Sequence, residues 1–204
     1  MSEQSPARYT IAAERMPPVA PEQMTAEQKQ AAAAIMEGPR GGLRGPYIAI
    51  IRNPGFMHPA QKLGEYVRFE CKLDNRLREL AALVIARHWT QQYIWHAHAA
   101  KARDAGLKQS VIDAIGDGRR PRGMAHDEEI AYDLLSEALV NKGASDETYA
   151  KAVATLGEAG VIDLLGVAGY YGMLAMIMNV ARTAVPDGEA LPLGPLPQQL
   201  CRTE

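Results

Sequence analysis

Cysteine is scarce. The 204-residue chain carries two, Cys71 and Cys201, far apart and in no Cys-x-x-Cys or metal-ligand spacing. That is no pattern for a disulfide-rich scaffold or a zinc site, and in a reducing compartment both are expected to be free thiols, with a Cys71–Cys201 disulfide as the alternative. Net charge is scarce too: 22 basic against 24 acidic side chains leave −2, which gives no electrostatic case for nucleic acid or an anionic membrane. The turn 116–123, GDGRRPRG, is basic but lacks interleaved aromatics. No uninterrupted apolar run approaches the ~18 residues of a bilayer span. The N-terminus, MSEQSPARYTIAAERMPP, lacks the basic-then-apolar layout of a secretion signal. These absences lead to the expectation of a cytoplasmic protein with no nucleic-acid or membrane partner. Sustained period-two alternation and internal repeats are also missing, so no sheet or solenoid is expected.

Helix signals dominate what remains. Hydrophobic residues at 47% and charged residues at 23% are ordinary for a globular chain long enough for one domain plus arms. Thr25 and Gln28 read as a capping box opening AEQKQAAAAIME, with Gly38 as the stop. A Gly/Pro-punctuated loop follows. From Pro59 to about Cys71, Leu63, Tyr66 and Val67 recur at helical spacing. Asp74 or Asn75 can cap the next helix, whose one face would carry Leu77, Leu80, Ala81, Val84, Ile85 and His88. Thr90 falls where a second N-cap belongs, opening a helix over 91–105 that Gly106 stops. Ser110, Asp127 and Ser145 or Asp146 mark three further starts, and a long apolar helix is expected after Gly160. The reading is an all-α fold: an arm over 1–24, one domain over 25–183 and a Pro-rich arm over 184–204. Pro-rich arms and a very apolar last helix favour an oligomer, since both need a surface to cover.

The segment 78–106, RELAALVIARHWTQQYIWHAHAAKARDAG, concentrates histidine, tryptophan, tyrosine and glutamate, with no phosphate loop or nucleophile elbow. On one straight helix Glu79 and His98 would lie about 28 Å apart at ~1.5 Å per residue. A break near Thr90 would allow the second helix to fold back and join them. Gln91, Ile94 and His98 then share a face beside Trp95, and a carboxylate next to an imidazole suits proton transfer near neutral pH. The bland alternative is a solvated glutamate and a satisfied core histidine. His96 and His98 point about 200° apart on a helix, a poor chelate, so no metal site is expected and His96 is placed against an adjacent helix, at a subunit interface or at the pocket mouth. Arg68, Arg87 and Arg103 are candidate carboxylate anchors, against the competing role of surface ion pairs. Tyr170 and Tyr171, followed by Met173, Met176 and Met178, read as packing residues.

The stretch LDNRLRELAALVIARHWTQQYIWHAHAAKARDAGLKQSVIDAI resembles the core of the carboxymuconolactone decarboxylase family, related to alkyl hydroperoxidase D. GPYIAIIRNPGF, LGEYVRFECKLDNRLRE and LLGVAGYYGMLAMIMNV extend the resemblance over roughly residues 40 to 182. It implies an alkyl hydroperoxidase D-like helical bundle assembled as a homotrimer or homohexamer, with the pocket near subunit interfaces. The peroxidase branch carries a glutamate, a Cys-x-x-Cys pair and a histidine four residues on. Here these positions hold Glu79, Gln91, Ile94 and His98. Glutamine and isoleucine supply no thiolate, so thiol peroxidase chemistry is not expected. The decarboxylase branch implies a cofactor-free lyase of aromatic-acid catabolism acting on a small carboxylated lactone. In it His98 would be the general acid and Glu79 its orienting partner. Trp95, Ile94, Gln91, Tyr93, His96, Arg87 and Arg68 are the candidate substrate contacts. An isomerase or hydrolase using the same pair, or a silent small-acid binder, are the alternatives.

Overall fold

The structure, a computed structural model, describes residues 13–186 and 191–194. Among these residues there is no strand. After a short 3₁₀ turn at Pro21–Gln23, the helices are α1 (Ala26–Glu37), α2 (Pro46–Ile50), α3 (Pro54–Glu65), α4 (Asn75–His88), α5 (Gln92–Asp104), α6 (Gln109–Gly116), α7 (His126–Val140) and α8 (Asp146–Ala181). A π turn, Tyr66–Glu70, follows α3 directly.

Three starts follow the expected chemistry. Thr25 and Gln28 close a reciprocal capping box, Asp74 accepts from the Arg76 amide, and Ser145 accepts from the Thr148 amide. Others moved. The cap of α5 is Gln91, whose side chain accepts from the Ile94 amide, and not Thr90. α6 begins at Gln109, before Ser110. α7 begins at His126, and Asp127 lies inside it; Glu128 reaches back to the Ala125 amide at 2.8 Å. The late break falls at Gly157 (φ 70°, ψ 164°), where α8 changes direction, and Gly160 is helical.

Helix α4 is the centre of the domain. Every residue from Leu80 to Arg87 is buried, and α5, α6, α7 and α8 all pack on it. A helix apolar on all sides belongs in the interior. His88 is exposed, so it leaves the predicted face at the helix end. Leu63 and Tyr66 are also exposed, at 45% and 42%, while Val67 is buried. The π turn begins at Tyr66 and interrupts the regular helical repeat there.

The hinge between α4 and α5 closes by a Schellman geometry. The Gln91 amide donates to the Ala86 carbonyl at 2.8 Å and the Thr90 amide to the Arg87 carbonyl at 3.1 Å. Thr90 occupies the left-handed position at φ 48°, a conformation rarely taken by a β-branched residue. The buried Arg87 guanidinium donates to Thr90 Oγ1 at 2.8 Å and holds it there. Gly106 fills the same position after α5 with glycine's freedom.

Both arms, where described, tie back onto their own chain. The Arg15 amide donates to the Ala181 carbonyl and Arg52 to the Pro17 carbonyl. Gln92 clamps Leu193 from both sides, accepting from its amide at 2.9 Å and donating to its carbonyl at 2.7 Å. The rest of both arms, with Cys201, lies outside the described residues. Cys71 is buried, and burial raises its thiol pKa. α8 contains a window long and apolar enough to cross a bilayer by length and composition (mean hydropathy 1.7), against the expectation of none, and half of that window is buried inside the domain.

Candidate active site

Because α5 folds back along α4, residues nineteen apart in sequence meet: His98 Nδ1 lies 2.6 Å from Glu79 Oε2. His98 is 8% exposed, and its ring meets the edge of Tyr171 at a centroid distance of 4.9 Å. With Glu79 as a carboxylate, Nδ1–H donates to it and Nε2 is left for a ligand. Two cavities flank the pair. The first, about 230 Å³, has His98 in its wall; the second, about 330 Å³, has Glu79. Arg68, Lys101 and Tyr171 line both.

The first cavity is built by three parts of the chain. Helix α5 presents Tyr93, Ile94, Ala97, His98 and Lys101, which share one helical face. The loop before α2 adds Arg40 and Arg44, α2 adds Tyr47, and α8 adds Tyr170 and Tyr171. Arg68 reaches it from the π turn, a helical irregularity that often re-aims a functional side chain. Four cationic side chains line this cavity, Arg40, Arg44, Arg68 and Lys101, and no carboxylate does. Such a wall selects anions. Lys101 is exposed over much of its side chain, yet burial of its amine, and then the adjacent Arg68, pull its pKa below the usual lysine value. Burial raises the phenol pKa of Tyr171 and of Tyr47, so both stay protonated.

The predicted contacts divide. Glu79, His98, Ile94, Tyr93 and Arg68 come together at the cavities. Gln91, Trp95, His96 and Arg87 do not line them. Gln91 spends its side chain on the α5 cap. Trp95 lies on the side of α5 facing α6, so close that a Cβ on Gly116 would sit 3.0 Å from its ring. Arg87 donates to the Gly116 and Gly194 carbonyls and to Thr90. His96 is half-buried outside both cavities. Sequence reasoning missed Arg40, Arg44, Tyr47, Lys101, Tyr170 and Tyr171 as cavity residues. Lys101 was legible, since it shares the face of Ile94 and His98; the others come from distant segments.

Among the described residues no group of three or more His, Cys, Asp and Glu side chains could hold a metal ion. An imidazole–carboxylate pair beside a cavity lined by four cations, inside an all-helical bundle, is an arrangement chemically suited to proton transfer on small anions. Residues 54–128 match the carboxymuconolactone decarboxylase family. Similar folds include an uncharacterized peroxidase-related protein with an alkylhydroperoxidase AhpD core from Ralstonia eutropha JMP134 (TM-score 0.69, 12% identity, covering 88% of this chain and 94% of that one). Another is an uncharacterized peroxidase-related protein from Silicibacter sp. TM1040 (TM-score 0.66, 13% identity, 92% and 97%). A third is a protein of unknown function from Agrobacterium tumefaciens (TM-score 0.60, 16% identity, 67% and 94%). Comparison with curated proteins gives no match. The family match is confined to residues 54–128, and the fold around it is the AhpD-like helical fold.

Proposed function

We propose that the protein is a cofactor-independent lyase that decarboxylates a small carboxylated lactone or related organic acid, with His98 and Glu79 as its acid–base pair. The observation that carries the reading is the pairing itself: a buried imidazole oriented by a carboxylate, with its second nitrogen free beside a cavity walled by cations. The substrate's carboxylates sit against Arg40, Arg44, Arg68 and Lys101. The bond to one carboxylate breaks, its electron pair moves into the conjugated carbonyl, CO2 leaves, and the imidazolium Nε2–H protonates carbon. A proton from solvent restores the imidazolium. No thiol takes part: Gln91 is a helix cap, and Ile94 is an apolar piece of the wall where a redox relative would carry cysteine.

The test is turnover of carboxymuconolactone, followed by its ultraviolet absorbance. His98→Gln and Glu79→Gln are expected to lose about 100-fold or more, while Cys71→Ser/Cys201→Ser keeps full activity. Unchanged turnover in His98→Gln would end the acid–base reading. The same cationic cavity suits a silent small-acid binder, which would take up the acid and release no CO2.

We further infer a cytoplasmic homotrimer or homohexamer. Ile162, Leu165, Met176 and Val180 of α8 are exposed along one helical stripe beside Trp89, which supports a subunit contact there. Sedimentation equilibrium should give three or six times 22.2 kDa, and a monomer at micromolar concentration contradicts the assembly.

A further inference from the structure

Three polar groups in the cavity wall remain outside the acid–base pair. Tyr47 and Tyr170 are each 2% exposed, and their hydroxyl oxygens lie 3.1 Å apart. Arg40 Nη2 donates to the Tyr170 oxygen at 3.1 Å, and its guanidinium stands 4.9 Å from the centre of the Tyr47 ring. All three side chains line the same cavity as His98. Through Tyr171, whose ring touches both Tyr170 and His98, the cluster is joined to the pair by two ring contacts.

A proton count shows what the cluster offers. Two phenols bring two O–H groups. One is spent between them, whichever donates. The Arg40 N–H occupies a lone pair of Tyr170 and takes no proton from the set. One hydroxyl proton is therefore left over in either arrangement, on a buried group with no acceptor among the described residues. A buried donor without an acceptor costs on the order of 1–3 kcal/mol, and the cavity is the place where an acceptor can enter.

The arrangement is also built at the backbone level. A Cβ on Gly64 of α3 would fall 2.1 Å from Arg40 Nη2, 2.2 Å from the Tyr170 hydroxyl and 2.7 Å from the ring carbon that bears it. Only glycine lets the guanidinium and the phenol meet at that point. Gly64 lies within the family segment, whereas Arg40, Tyr47 and Tyr170 lie outside it.

We propose that Tyr47, Tyr170 and Arg40, seated over Gly64, form a hydrogen-bond site for one carbonyl or enolate oxygen of a small organic acid. The proposal rests on the cavity being the substrate site of the reaction above. As the carboxylate bond breaks, the electron pair reaches the carbonyl oxygen, which becomes an enolate. The leftover phenol proton is shared with that oxygen, and the nearby guanidinium balances its charge. When His98 reprotonates carbon, the oxygen returns to a carbonyl. Nothing is oxidised or reduced, and the phenol keeps its proton. Burial holds the Tyr47 phenol in its protonated, donating form.

The test uses oxalate, a planar dianion resembling an enolate of a 2-oxo acid, titrated calorimetrically into the full-length protein. Because either phenol can supply the spare proton, Tyr47→Phe and Tyr170→Phe alone are expected to weaken oxalate only a few-fold. Tyr47→Phe/Tyr170→Phe leaves no donor and is expected to weaken it about 10- to 100-fold. Gly64→Ala, which keeps every polar group but drives Arg40 and Tyr170 apart, should weaken binding as well, and it stands in should the double variant fail to fold. His98→Gln should still bind oxalate, which separates this site from the acid–base reading. A folded double variant or Gly64→Ala protein that binds oxalate as tightly as the wild type overturns the proposal. So does a wild-type protein that takes up no oxalate at millimolar concentration.

Discussion

Glu79 and His98 illustrate how much one hinge residue decides. Their pairing was legible, but only on condition that the chain reverses between them, and the reversal rests on Thr90 in a left-handed conformation held by Arg87. Trp95 shows the opposite case. Its position one residue after Ile94 suggested a cavity wall, yet the ~100° step of a helix turns it toward α6, where Gly116 leaves room for its ring. Trp95→Phe is therefore expected to lower unfolding stability, by about 0.5–3 kcal/mol, without changing turnover. Chemical denaturation and a kinetic assay on the same preparation check both halves. Arg87 and Gln91 lie away from the cavities for a related reason. Their polar groups satisfy backbone partners at the hinge, and no sequence pattern distinguishes an anchor for a carbonyl from an anchor for a substrate.

At the scale of elements, helices with a strong cap or an unbroken apolar period were readable to within a few residues, as α1 and α4 show. Irregular pieces were not. The π turn that delivers Arg68 leaves no composition signal, and the loop carrying Arg40 and Arg44 is placed only by tertiary packing. Apolar pairs such as Tyr170–Tyr171 read as packing from sequence and do pack; that they also face a cavity follows from which helices surround α5. The break in α8 sits at a glycine whose backbone angles are closed to other residues, with nothing within 4 Å of an added Cβ. Gly157→Ala should cost about 1–3 kcal/mol through backbone strain alone, measured by thermal or urea unfolding. A neutral result would mean that α8 straightens at no cost.

Across the whole molecule, the start of α4 is fixed to the start of α7 by Arg76, which pairs with Asp127 at 2.6 Å and with Glu128. The hydrogen bond from Arg76 lowers the Asp127 pKa below its ordinary 3.8. A depressed carboxyl pKa contributes stability that is complete above the unfolded value and is lost as pH falls through the folded one. Asp127→Asn should therefore be less stable than the wild type by a constant amount from pH 5 to pH 8. The gap should begin to close below about pH 4, as urea titrations at stepped pH would register.

The family segment supplies Glu79, Arg68 and the α5 face, while the flanking loop, α2 and α8 supply Arg40, Arg44 and the tyrosines. In the proposed reaction the first set carries the acid–base pair, and the second shapes what it would act upon. The central claim is that this cavity moves protons and not thiol electrons. The measurement that reaches it most directly is CO2 release from carboxymuconolactone by wild type, His98→Gln and Cys71→Ser/Cys201→Ser side by side. The account predicts stoichiometric CO2 from the wild type and from the cysteine-free protein, and about 100-fold less from His98→Gln. No CO2 from the wild type, or equal rates with and without the imidazole, would contradict it.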